Sequence, residues 1–140
     1  MRMRANVRVS MFAIAAIISG CGGHGGSSDR KIIKSTTVGS LTVTLAGPGG
    51  ELRRGDNDLM ITFGDSSGSP LDVGAASLNF HMPAMGSMAE MNDKATLTTT
   101  TIPGWYRAKV TLESAGTWEA QVKYQGPQGT GQASLTVNAK

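Results

Sequence analysis

Between positions 81 and 91 a thioether returns at every third residue: Met82, Met85, Met88 and Met91 are four of the eight methionines in the chain, and a single imidazole, His81, heads the run. Thioether sulfur is soft, uncharged and unable to form disulfides, which suits Cu(I) and suits poorly the hard ions Ca²⁺ and Mg²⁺. The pattern therefore predicts a copper site built from three of the four methionines, with His81 as a fourth or alternative ligand. Thioethers do not titrate, so pH would enter such a site through His81 alone. Glu90 and Asp93 close the stretch, either as local negative charge for a cation or as solvated surface carboxylates.

The competing explanation is packing, because methionine also fills irregular core gaps and lines adaptable contact surfaces. Leu, Ile and Val are missing from positions 81–91, where a hydrophobic cap would mix them in. A repeat of three is eclipsed in a 3₁₀ turn or a polyproline-II segment, so the four sulfurs would share one edge of a short loop. Pro83 and Gly86 oppose a long helix there.

Catalytic arrangements fare badly. Positions 40–140 hold one histidine and no cysteine, so a Ser-His-Asp or Cys-His site would have to rest on His81 without an acidic orienter close in sequence. Asp56 and Asp58 flank a turn but lack the alternating oxygens and closing glutamate of a calcium loop. Gly47-Pro48-Gly49-Gly50 has neither the lysine nor the following helix of a phosphate loop. A binding protein, not an enzyme, is the expectation.

Positioning such a loop falls to strands. Leu41, Val43 and Leu45 alternate with threonines, and Leu59, Ile61 and Phe63 form a second apolar face that leaves Met60 on the other side. Ala76, Leu78 and Phe80 lead into His81. Ala95 to Thr101 is a threonine-rich strand, followed by inward sets at Tyr106, Ala108, Val110 and Leu112, at Trp118, Ala120, Val122 and Tyr124, and at Ala133, Leu135 and Val137. About seven short strands separated by turn residues predict an all-β fold, an antiparallel immunoglobulin-like β-sandwich. Trp118 is its natural core anchor, and with one cysteine no internal disulfide can form. Met82 to Asp93 then becomes a loop at one end of a rigid support. Strand alternation sets a condition: a strand regular through residue 82 would send His81 and Met82 to opposite faces, so both serve one metal only if the chain turns at Met82.

The start of the chain is an address. Arg2, Arg4 and Arg8 precede an apolar stretch from Val9 to Ile18, too short to cross a bilayer, and then Ile18-Ser19-Gly20-Cys21. That tetrapeptide resembles the lipobox of bacterial lipoproteins, which implies a signal peptide at 1–20 and a membrane anchor on lipidated Cys21. A Gly/Ser-rich tether with His24 as a spacer would fill 21–39, and the domain 40–140. The net charge of +3 comes from the three leader arginines, since the remainder balances ten Lys or Arg against ten Asp or Glu. No nucleic-acid footprint survives that subtraction.

The strand into Phe80-His81-Met82-Pro83-Ala84-Met85, with the later blocks Pro103-Gly104-Trp105-Tyr106-Arg107-Ala108 and Ala115-Gly116-Thr117-Trp118-Glu119, resembles the YtkA-like and FixH-like group of extracytoplasmic domains over about residues 40–138. Met82 and Met85 match that group's Met-Pro-x-Met turn; Met88 and Met91 extend it, and His81 takes a place the group fills variably. The resemblance implies a location in the cell envelope, facing the periplasm or the exterior, and partners in copper efflux or cytochrome oxidase assembly. The chain departs from the FixH-like members that begin with a membrane helix. Two functions follow as expectations: a Cu(I) carrier, or a non-metal accessory lipoprotein that uses the loop as an apolar contact surface.

Overall fold

Residues 30–140 are described by a computed structural model. The signal peptide at 1–20, Cys21 and the tether as far as Asp29 lie outside the described residues. Within them the period-two patterns become nine strands and no helix: β1 (Arg30–Val38), β2 (Leu41–Pro48), β3 (Gly55–Gly64), β4 (Ala75–Met82), β5 (Met91–Lys94), β6 (Thr96–Thr99), β7 (Trp105–Leu112), β8 (Gly116–Gly126) and β9 (Gly129–Ala139). They form two antiparallel sheets, ordered β1-β2-β3-β7-β6 and β5-β4-β8-β9. From β2 onward this is the immunoglobulin order, A-B-E-D against C′-C-F-G, with β1 added at the outer edge of the first sheet.

The sandwich closes because each apolar set points the same way. Leu45, Leu59, Ile61, Phe63, Leu78, Phe80, Trp118 and Val122 have essentially no solvent exposure and fill the space between the sheets. Trp118 is fully enclosed, and its indole N–H donates to the Ser114 carbonyl at 3.0 Å, so the anchor also holds the turn between β7 and β8. Phe63 packs edge-on against Tyr106, with ring centres 5.8 Å apart.

Three features differ from the expectations. The tether proposed for 21–39 ends earlier, because Arg30–Val38 pairs with β2 along its whole length. Its alternation is blurred by a bulge between Ile32 and Lys34 and by half-exposed positions, which hides a strand from a periodicity count. Met91–Lys94, assigned to the loop, is a short strand paired with β4. Finally, β4 stays regular through Met82 instead of turning there.

Both sheets reach the same end with their turns tied together. Glu113 N–H donates to the Asp93 carboxylate at 3.0 Å, Leu52 bridges Ala139, and Arg54 N–H donates to the Lys140 carbonyl at 2.8 Å. The stretch from Pro83 to Glu90 projects from this tied end.

Candidate metal centre

The period-three methionines fold into nested pairs. In the β4–β5 ladder Met82 faces Met91 and His81 faces Asn92. Further out, Met85 N–H donates to Met88 C=O at 3.1 Å and Met88 N–H donates back to Met85 C=O at 2.9 Å. All these partners are symmetric about the bond between Gly86 and Ser87, so 79–94 is one hairpin folded at that point. Gly86 supplies the tight turn with φ of +56°, at the first central position where a II′ turn needs it. Pro83 and Ala84 interrupt the ladder on one arm and Ala89 and Glu90 on the other, which leaves the tip as a separate small bridge.

This geometry sorts the candidate ligands into three groups. Met85 and Met88 sit directly opposite each other at the tip, where a doubly hydrogen-bonded pair holds its Cα atoms about 5.5 Å apart. They are 56% and 49% exposed, which leaves both thioethers open to an incoming ion. Met82 goes the other way. It is 3% exposed, belongs to the core, and its terminal methyl lies against Gly116, where an added Cβ would come within 3.2 Å. Met91, its cross-strand partner, is half-buried against the same core.

His81 takes the outer face, as strand alternation demands once β4 continues through Met82. Its Nδ1 lies 3.0 Å from Asn92 Oδ1, an atom that also accepts from Asn79 Nδ2 at 3.2 Å. Asn79 in turn donates to Gln121 Oε1 at 3.3 Å. A carboxamide oxygen can only accept, so the network assigns the proton to Nδ1; in the neutral ring the lone pair is then on Nε2. Nε2 faces the tip side, 3.9 Å from Glu90 Oε2. Histidine ligands usually carry such an outer hydrogen bond on the nitrogen that does not touch the metal. The ring is thus oriented as a ligand would be, although His81 and Met82 do not share a face.

The two carboxylates at the loop's end separate as well. Glu90 is exposed beside His81, whereas Asp93 turns inward, is buried, and holds the Glu113 amide as a structural brace. Among the described residues no three His, Cys, Asp or Glu side chains converge as a metal-binding group. Asn92, Asn79 and Gln121 escaped the sequence reading because they reach His81 only through cross-strand register, which a linear pattern does not display.

A family model described as YtkA-like matches residues 36–123. No curated protein matches the chain. Among solved structures, the as-isolated FetP of uropathogenic Escherichia coli, recombinantly expressed in the periplasm, aligns with a TM-score of 0.50 at 10% identity over 78% of this chain and 95% of that one. A copper-bound variant of FetP aligns with a TM-score of 0.47 at 8% identity over the same shares. At such identities the first likeness concerns the fold.

Proposed function

The chain belongs to the YtkA-like family, and from that premise we propose that it is a lipid-anchored, extracytoplasmic Cu(I)-binding protein that takes up and passes on the ion at the Met85–Met88 hairpin, without catalysis of its own. One observation carries the proposal: two soft donors are held face to face at an exposed tip by reciprocal backbone hydrogen bonds, so the pair exists before any ion arrives. Preorganisation of this kind lowers the ordering cost of binding. His81, with Nε2 free of the Asn92 network, is the candidate third ligand. Met82 and Met91 support the hairpin from below. Membrane partners of copper efflux or oxidase assembly are the natural recipients for such a carrier.

The second function keeps the tip as an apolar contact for an envelope complex. It is favoured by the same exposure figures, since two bare methionine side chains also suit an adaptable protein interface. Titration with Cu(I) under reducing conditions separates the two. The protein is prepared with Cys21→Ser so that no thiolate competes for the metal. The carrier predicts tight stoichiometric binding that is lost in Met85→Leu/Met88→Leu; a contact surface predicts no tight binding in either form, with partner association surviving the substitution.

A further inference from the structure

The position of β1 bears on where the hairpin points. Arg30 opens β1 opposite Pro48, the last residue of β2. Pro48 lies toward the end of the sandwich that also carries Gly55 with Leu112, Met82 with Met91, and Gly116 with Ala139. The chain therefore enters the domain at the end from which the methionine hairpin projects. The opposite end carries the loops at 65–74, 100–104 and 127–128.

We propose that the domain stands on the lipid bilayer with its methionine hairpin facing the membrane, the Met85–Met88 tip resting in the headgroup layer. This rests on the lipid anchor at Cys21 given above. Positions 21 and 30 are nine residues apart (30 − 21 = 9), and a chain of that length reaches at most ~32 Å even when fully drawn out. Turning the sandwich over would require the linking chain to run back along β1, nine residues or ~26 Å of strand, before the opposite loops reached the surface. That consumes nearly all of the available length. With the hairpin end down, no part of that length is needed to run back along the domain.

The end itself suits an interface without being driven to it by charge. At this end Arg30 pairs with Asp58 and Lys140 with Glu51, and exposed Lys31, Arg53 and Arg54 are matched in number by exposed Asp56, Glu90 and Glu113. Anionic headgroups are neither strongly sought nor repelled, so the anchor supplies the local concentration and the two thioethers supply apolar contact. Cargo at the tip would then meet a recipient embedded in the bilayer and not one diffusing above it.

The test uses the full acylated chain in vesicles of phosphatidylethanolamine and phosphatidylglycerol, with an environment-sensitive fluorophore on Ser87→Cys at the tip or on Ser66→Cys in the far loop. Acylation blocks Cys21, so each variant carries one free thiol. The expected result is a blue-shifted Ser87 label, quenched several-fold less by aqueous iodide than the Ser66 label and quenched by spin-labelled lipid. Equal iodide quenching of both labels in an acylated chain overturns the orientation while the anchor stands, as does protection of Ser66 alone. A chain recovered from the membrane fraction without acyl groups overturns the anchor and the orientation together. Cu(I) stoichiometry, read separately, is unaffected by either outcome.

Discussion

Truncating Met82 and truncating the tip methionines should have opposite consequences. Met82 is 3% exposed, faces Met91 across the ladder and covers Gly116 with its terminal methyl. Buried Met→Ala changes cost about 2–5 kcal/mol through lost transfer energy and the cavity left behind. Met82 lies at the last pair of its strand, where neighbours can collapse inward, so the lower part of that range applies, about 2–3 kcal/mol. For a domain of this size such a loss lowers the melting temperature by about 10 °C. Met85→Ala and Met88→Ala, at half-exposed positions, should each stay within about 0.5 kcal/mol of the parent. Thermal unfolding by circular dichroism reads the stability, and Cu(I) competition with a chromophoric chelator reads the metal at a temperature where every variant is folded. Met82→Ala is expected to melt early and bind normally, while the tip variants melt normally and bind poorly. If Met82→Ala abolished copper binding with little loss of stability, the inward placement of its sulfur would be refuted and a convergent four-methionine cluster restored.

Asn92→Ala removes the acceptor that fixes the His81 tautomer; if Nε2 is a ligand, Cu(I) affinity should fall about 10–100-fold with the stoichiometry kept, as measured by the same competition, and no change would remove His81 from the site. Tyr106 donates its hydroxyl to the Gly74 carbonyl, and burial, with Asp72 nearby, raises its pKa above the ordinary value of 10.0. Its neutral form is thus favoured in the folded state, so that part of the stability is complete below about pH 10 and is lost as pH rises through the raised folded value. Tyr106→Phe should cost about 1–2 kcal/mol at neutral pH and flatten this alkaline loss in urea unfolding followed between neutral and strongly alkaline pH. Gly104 has φ of +81° and no room for a Cβ, which would fall 2.0 Å from the Leu71 carbonyl oxygen. Gly104→Ala should therefore destabilise well beyond the ~1–2 kcal/mol expected from the left-handed backbone alone, whereas Gly49→Ala, with φ of +67° and open space around it, should cost only that much in chemical denaturation.

The inner faces of the sandwich were legible because burial imposes a period of two. The sets at 41–45, 59–63, 106–112, 118–124 and 133–137 all enter the core. Irregular positions were not legible. Leu52, with no solvent exposure, lies outside any regular strand and is held by its bridge to Ala139. Val73 is likewise fully buried in a segment without strand pairing. In the methionine stretch the sequence displays spacing, but spacing is ambiguous between a helical edge and a hairpin. The period of three suggested one shared edge, yet pairing about Gly86–Ser87 places Met82 with Met91 and Met85 with Met88 on separate levels. The condition on His81 and Met82 was legible, since alternation alone sends neighbours to opposite faces. Which side of the condition held depended on a pairing partner, β5, whose four residues carry no periodic signal of their own.

X-ray absorption at the copper edge of the Cu(I)-loaded protein tests the central claim most directly. A first shell dominated by sulfur, supplied by Met85 and Met88 and losing that sulfur in Met85→Leu/Met88→Leu, is the predicted result. A shell of nitrogen and oxygen alone, or a sulfur signal unchanged by the double substitution, would contradict it.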